Sequence, residues 1–371
     1  MHTRFMKRTS VGRDVKLHQP GRDQLDAGPE GSSGPFEILQ SCHAAGLDGV
    51  LIRTIVELSP TLDAGLLREA RATADELGLY LELGVGKVNP YMTAELPEVR
   101  DLGRGDYAAG MTRMISAAAD VGCHELWTAT AFQKSARYGI HAVDRFRTDV
   151  TWAEQLRATT AFIKQIGPAL RDSSSRLNLE THEEISASEL LKVIDAVGED
   201  IVGVTFDPAN CVARGEDPLE VARMLGTSIH QTHLRDVALF ADGADILRYL
   251  APCGDGVLDW DGLVAALLDA SADLNLSIEG SGAHRGRLLI PRSHPGWTSD
   301  RGMAPDTPDP LDSFLIAYAE RVTAGHVLPR GAFDRTDPET LGDIDEFVAK
   351  SATTVRAAAA RYRAGNSVTL P

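Results

Sequence analysis

Residues 177–184 read LNLETHEE. Leu177 and Leu179 alternate with polar positions as in a strand, and the run ends abruptly in Glu180, His182, Glu183 and Glu184. A strand with a purely structural job fades into turn residues such as Gly, Asn or Pro. A strand that delivers four titratable side chains at its carboxyl end sets chemistry at a sheet edge. Whether other strands end the same way decides the fold.

The chain around this stretch alternates. FEILQSCHAAG (36–46) has helical spacing and GVLIRTI (49–55) is a β-rich run. The helical stretch 62–78 closes at Gly78, and LYLELGV (79–85) follows as a strand. A helix over 107–122 precedes the strand HELWTATAF (124–132), and a helix capped by Thr151 precedes RLNLETHE (176–183). Ser186 and Glu189 form a capping box for the next helix, before the strand IVGVTFDPAN (201–210). Asp217 before Pro218 opens another helix, and IHQTHLRD (229–236) follows as a strand. A helix over 259–273 and the strand LNLSIEG (274–280) end the pattern. With a short first strand expected near 3–9 and a Gly- and Pro-rich loop over 10–35, the count reaches eight. Strands alternating with helices of this length predict a parallel sheet, and eight units predict an α/β fold closed as a (β/α)8 TIM barrel. An open doubly wound sheet would carry a glycine-rich phosphate loop, and ELGVGK (82–87) matches neither such pattern. Residues 1–285 are therefore expected to form the barrel. Residues 286–371 are expected to add a loop and a C-terminal helical extension, with helices over 311–324 and 337–364, the second a long surface helix.

The 371 residues suit a single barrel of this kind. A net charge of −16 and a pI near 5.1 repel a phosphate backbone, so nucleic acid is not the expected partner. Cys42, Cys123, Cys211 and Cys253 form no CxxC pair, which argues against a zinc knuckle, a redox motif or a disulfide framework. The start MHTRFMKRTS lacks the apolar run of a signal peptide, and no stretch reaches the ~20 apolar residues of a membrane span. The expectation is a soluble cytoplasmic protein.

Active sites of such barrels lie at the carboxyl ends of the strands. The fifth strand ends in Glu180 and His182, the sixth in Asp207 and Asn210, the seventh in His230, His233 and Asp236, and the eighth in Glu279. Glu180, Asp207, His233 and Glu279 make a set of three carboxylates and one imidazole. Carboxylates crowded without a cation repel one another and take up protons. One divalent metal removes that problem, and oxygen-rich ligation with a single imidazole suits Mn2+ first, with Mg2+, Co2+ or Zn2+ as alternatives.

The segments LNLETH, FDPAN, HQTHLRD, GDGVLDWDGLV and SIEG resemble, in order and spacing, the xylose isomerase-like barrel superfamily of sugar isomerases and epimerases. The resemblance covers roughly residues 36–285 and implies a metal held by Glu180, Asp207, His233 and Glu279, with His182 facing a carbohydrate substrate. Asn210 stands where many members carry a substrate- or metal-binding histidine, which argues against a three-zinc centre. Within GDGVLDWDGLV, Asp259 or Asp261 reads as a helix cap.

The chemistry implied is proton abstraction beside a sugar carbonyl, with the metal-held Glu180 and Glu279 as a pair of bases. A second base is His141, in the loop 133–152 that also holds Arg137, Asp144, Arg145 and Arg147. Lys87 and Arg235 are candidate substrate contacts. Reprotonation gives an isomerase or epimerase. Expulsion of a β group gives a lyase like the catalytic subunits of C-glycoside deglycosidases, which act on 3-oxo-C-glycosides with a small β-rich partner subunit. That reading needs an apolar wall, for which Phe132, Tyr138, Phe146 and Trp297 are candidates. A homo-oligomer or such a hetero-oligomer fits either case. An apurinic endonuclease conflicts with the acidity and with Asn210. A non-catalytic barrel conflicts with the complete ligand set.

Overall fold

The computed structural model describes residues 10–15, 34–92, 96–131, 149–282, 285–294, 297, 309–335 and 338–367. Its strands are β1 (Val11–Val15), β2 (Gly49–Ile52), β3 (Tyr80–Gly84), β4 (Glu125–Thr128), β5 (Arg176–Glu180), β6 (Val202–Phe206), β7 (Ile229–Thr232), β8 (Asp236–Asp242), β9 (Asp245–Ala251), β10 (Leu276–Glu279) and β11 (Leu288–Ile290). Eight of them run parallel in the order β10-β1-β2-β3-β4-β5-β6-β7. The barrel closes just past β7, where Leu234 N donates to Ser277 O at 2.8 Å and Glu279 N donates to Leu234 O at 3.2 Å. The molecule is a (β/α)8 barrel with a C-terminal helix, as the alternating pattern predicts.

Period-two alternation sorts each strand into an apolar outer row and a polar inner row. On β5 and β6, Leu177, Leu179, Val202, Val204 and Phe206 are buried beneath the helices, while Asn178, Glu180, Gly203 and Thr205 take the alternate positions. The polar row is hydrogen-bonded across strands: Asn178 Nδ2 donates to Glu125 at 2.9 Å, and Thr205 Oγ1 donates to Gln231 at 3.2 Å. Tyr80 spans from β3 to Ser277 Oγ on β10 at 2.8 Å. A Cβ at Gly12 would lie 2.1 Å from the Tyr80 hydroxyl oxygen, and one at Gly49 would lie 2.1 Å from its ring. Two strand glycines therefore make room for one tyrosine.

The capping signals hold. Thr151 and Ser186 form capping boxes with Glu154 and Glu189, and Asp217 and Asp259 cap the helices Pro218–Leu225 and Trp260–Ala270. Three expectations change. The first barrel strand is Val11–Val15, inside the stretch read as loop, whereas 3–9 lies outside the described residues. Gly12 and Asp14 break the apolar pattern of β1 because they sit on the interior row with Tyr80 and the site. The C-terminal helix Ile344–Ser367 takes the expected place packed on the barrel, but only one of its faces is a surface face. It packs against β1, β10 and Trp260–Ala270, with Phe347, Val348, Ala352, Val355, Ala358 and Ala359 buried. The reading also missed β8 and β9, a hairpin turning at Gly243–Ala244 and extended by β11 into a three-stranded antiparallel sheet. Asp236 anchors that sheet to the barrel, accepting from the backbone N–H of Val237, Gly254, Val257 and Leu258 and from Trp260 Nε1.

Candidate metal centre

Glu180, Asp207, His233 and Glu279 converge at the carboxyl edge of the barrel. One oxygen each from Glu180, Asp207 and Glu279 lie within 4.8 Å of one another, and His233 Nδ1 is 3.3 Å from Glu180 and 3.6 Å from Glu279. All four are buried, at 7% exposure or less. Glu180 Oε1 accepts from Asn210 Nδ2 at 3.2 Å, and its Oε2 accepts from Trp127 Nε1 at 3.2 Å. Asp207 also caps the helix Pro208–Arg214, its Oδ1 accepting from Ala209 N and Asn210 N, which fixes where its other oxygen points. Trp127 stacks beside His233 with ring centroids 5.6 Å apart.

Two guanidinium groups brace these acids. Arg235 donates to Asp207 Oδ2 through Nε at 2.9 Å and pairs with Glu279 at 2.9 Å. Arg53, just beyond β2, donates to Asp14 Oδ2 at 2.7 Å and bonds Glu279 Oε1. Asp14 enters from β1, whose register places it opposite Glu279. Sequence reading missed both Asp14 and Arg53. Asp14 sat in a supposed loop, and Arg53 looked like an ordinary charge after an apolar strand. The signal for Asp14 was the alternation in VGRDV, once β1 is placed at 11–15.

Burial alone would raise every acid here, and its effect dominates at Asp207, which is pushed up to about 7, and at Asp14. At Glu180 and Glu279 burial is outweighed by neighbouring cations, His233 and His182 for the first and Arg235 and Arg53 for the second, so both stay below their ordinary values. Burial opposes charging of His233, yet Asp14, Glu180 and Glu279 raise it to about 9. Four carboxylates (Asp14, Glu180, Asp207, Glu279) face two guanidinium groups (Arg53, Arg235), and the negative charge left over is met only by the His233 imidazolium and the Lys87 ammonium, both opposed by burial. Buried, unpaired charges each cost several kcal/mol. Among the described residues, His233 Nε2, Glu279 Oε2 and Asp14 Oδ1 have no hydrogen-bond partner. A divalent cation fits this donor set in charge and in chemistry.

The other expected residues ring this centre. His182 Nδ1 bonds Glu184, whose other oxygen accepts from Thr130 Oγ1. Burial disfavours the imidazolium, but Glu184, Glu183 and Glu180 together raise His182 to about 10. Lys87 sits with its ammonium 4.3 Å from the Trp127 ring centroid, and burial lowers it to about 8. Asn210 is fully buried, donating to Glu180 and accepting from Arg235 at 3.3 Å, so it brackets two site residues. From β9, Arg248 reaches Glu183 at 2.7 Å and ties the hairpin to the loop that carries His182. His230 lies at the opposite, amino end of β7 beside Gly203. His141, Phe132, Tyr138 and Phe146 lie outside the described residues, and Trp297 is buried with its ring 5.9 Å from the Arg214 guanidinium.

A parallel eight-stranded barrel with acids and an imidazole at its carboxyl edge defines the class of α/β-barrel proteins with a metal-type centre. Residues 39–300 match the xylose isomerase-like TIM barrel family, and the chain belongs to it. Among curated proteins, the 3-oxo-isoapionate decarboxylase of Pectobacterium atrosepticum is 28% identical over 121 residues, 32% of this chain and 44% of that protein. An uncharacterized protein of Escherichia coli, YihM, is 21% identical over 106 residues, 29% of this chain and 32% of that protein. The chain thus spans less than half the length of the curated relatives it matches. Solved structures of similar fold include a D-allulose 3-epimerase from Methylomonas sp. (TM-score 0.53, 15% identity, 95% of this chain and 98% of that one). Another is a 3-keto-D-glucoside 4-epimerase from E. coli (TM-score 0.50, 14% identity, 85% of this chain and 100% of that one). Among the described residues, no helix is long and apolar enough to cross a membrane.

Proposed function

We propose that this protein is a divalent-metal-dependent enzyme that abstracts a proton next to the carbonyl of a keto sugar or sugar acid, of isomerase or epimerase type. The observation that carries the reading is the buried convergence of Glu180, Asp207, His233 and Glu279, where four carboxylates with Asp14 face only two guanidinium groups. These four residues would hold the metal, Mn2+ first. When bound, such a cation acts as a Lewis acid toward negative charge developing on a carbonyl oxygen. Glu180 and Glu279, on strands separated by β6 and β7, are the pair of carboxylates available to remove a proton from the substrate carbon and return one. Arg235 and Lys87 line the same edge as donors to substrate oxygens. The His182–Glu184 pair holds an imidazole N–H there, and the Trp127 ring gives the Lys87 ammonium a dry platform.

The likeness to a 3-oxo acid decarboxylase supports the carbanion side of this chemistry, because a 3-oxo acid loses its carboxylate through an enolate, as does proton loss beside a ketone. The lyase reading, in which an aglycone leaves a 3-oxo-glycoside, passes through the same enolate. Of its expected apolar wall, Phe132, Tyr138 and Phe146 lie outside the described residues and Trp297 is buried beside Arg214, and nothing among the described residues of the site favours this reading over epimerisation. The test is metal analysis followed by exchange in deuterium oxide with two substrate sets, free ketoses and 3-oxo-glucosides. Deuterium incorporation with sugar interconversion in Mn2+-loaded protein, lost in Glu279→Gln, is the expected result. Aglycone release without interconversion would select the lyase. Absence of exchange from both sets, in protein shown to hold metal, would overturn the proton-abstraction reading.

A further inference from the structure

We infer that Asp14 is a positioning residue for His233: with a cation on the centre, its Oδ1 would accept the Nε2–H of the imidazole and hold the ring with Nδ1 toward Glu180 and Glu279. The inference rests on the metal-centre reading above.

Two buried atoms of opposite need stand without partners. His233 is 1% exposed, and its Nε2 has no hydrogen-bond partner. Asp14 is 3% exposed, and its Oδ1 has none either. A nitrogen of His233, an oxygen of Asp14 and an oxygen of Glu279 all lie within 4.8 Å of one another, with no hydrogen bond or ion pair yet joining Asp14 to His233, so the two must draw closer for the bond to form. The other imidazole nitrogen is committed, with Nδ1 3.3 Å from Glu180 and 3.6 Å from Glu279. The other oxygen of Asp14 is committed too, to Arg53 Nε at 2.7 Å. Each residue therefore has one atom assigned and one open, and the open atoms are a donor and an acceptor. A metal-ligating histidine commonly gives its second N–H to a carboxylate, which fixes the tautomer and ring orientation. β1 supplies that carboxylate because its pairing with β10 sets Asp14 opposite Glu279.

A second cation on Asp14, His233 and Glu279 is the competing use of the same atoms. Charge decides against it. One divalent ion already meets the negative charge that the two guanidinium groups leave, so a second would put excess positive charge in a buried site beside Arg53.

The experiment uses the full chain. Mn2+ affinity is measured by calorimetry for the wild type and for Asp14→Ala, Asp14→Asn, Arg53→Met and Glu180→Gln, with thermal melts to show that each folds. In the Zn2+-loaded, 15N-histidine-labelled protein, the Nε2 proton of the metal-shifted ring is followed by NMR. Asp14→Ala is expected to bind Mn2+ roughly 10- to 100-fold more weakly, the range seen for such outer partners. It is also expected to lose the protected, downfield Nε2 proton. Asp14→Asn, which keeps an acceptor oxygen but no charge, is expected to retain that proton. Arg53→Met, which leaves the Asp14 acceptor in place, is expected to retain that proton. An Nε2 proton unchanged in Asp14→Ala, or one lost equally in the Asn and Ala variants, would overturn the inference while the metal centre stands. A wild type that binds Mn2+ no better than Glu180→Gln would instead overturn the centre itself.

Discussion

Glu82 lies on the interior row of β3, one layer below the site, 8% exposed, with Oε1 accepting from Asn275 Nδ2 at 2.7 Å and Oε2 unpartnered. Burial raises its carboxyl from 4.5 to about 7, against the smaller opposing effects of Asn275 and His233. The fold therefore prefers the protonated acid. A carboxyl raised in the folded state contributes full stability below its unfolded value, and that contribution is lost as pH rises from 4.5 to about 7. A rise of this size corresponds to about 3 kcal/mol, to be taken as an upper figure. Glu82→Gln keeps an acceptor for Asn275 and removes the titration. Urea unfolding of both proteins at pH 5 and pH 8 checks it. The variant should exceed the wild type by less than about 1 kcal/mol at pH 5 and by about 3 kcal/mol at pH 8. Asp207, Asp14 and Asp236, also raised by burial, titrate in both proteins and cancel in the difference. A difference that stays below about 0.5 kcal/mol at both pH values, the size of an ordinary surface substitution, would refute the account of a dry, uncompensated acid inside the barrel.

Three further outcomes are expected. Asp207→Asn and Glu279→Gln should each weaken Mn2+ binding by more than about 100-fold, beyond the effect of outer partners, as read by calorimetry. Gly12→Ala would set a Cβ 2.1 Å from the Tyr80 hydroxyl oxygen and 2.5 Å from Gly49 O, so it should lose about 1–3 kcal/mol or more in thermal unfolding. Arg248→Ala leaves Glu183, with its side chain 8% exposed, only the more distant His182 at 3.8 Å and should cost roughly 1–3 kcal/mol, while the double variant Arg248→Met/Glu183→Gln, which removes both charges, should recover most of that loss.

The barrel was legible because parallel strands covered by helices carry apolar outer rows, and these show as short β-rich runs such as GVLI, LYLEL and IVGVTF between well-capped helices. β1 was not legible. Its interior row is Gly12 and Asp14, so the strand shows too little apolar density to stand out from a Gly- and Pro-rich stretch. The β8–β9 hairpin did carry a signal. DVALFAD and DILRYLA flank Gly243, whose positive φ of 67° suits a two-residue turn. It went unread because an alternating βα pattern does not anticipate an antiparallel insertion after the seventh strand. In the site, the four strand-end residues were legible one strand at a time. Arg53, Asp14 and Trp127 were not, because their role depends on which strands close the barrel. Only the β1–β10 pairing sets Asp14 beside Glu279. Only the barrel's curvature brings Trp127 of β4 to Glu180 of β5 and His233 beyond β7.

The arrangement of charge also explains why this centre carries so many cations of its own. Arg235 and Arg53 bond the same Glu279 oxygen, and Arg235 bonds Asp207 as well. Four acids this close could not stay ionised without a positive group. The two guanidinium groups hold half of the charge and keep Glu279 below its ordinary value, whereas Asp207, despite Arg235, still drifts up to about 7. Half-compensation has a functional logic. A centre fully neutralised by its own side chains would have no electrostatic reason to bind a metal. One with no arginines would protonate or fail to pack. On the reading proposed above, the negative charge left by the arginines, over ligands held in place by Asn210, Trp127 and the helix cap at Asp207, is what would favour a divalent cation.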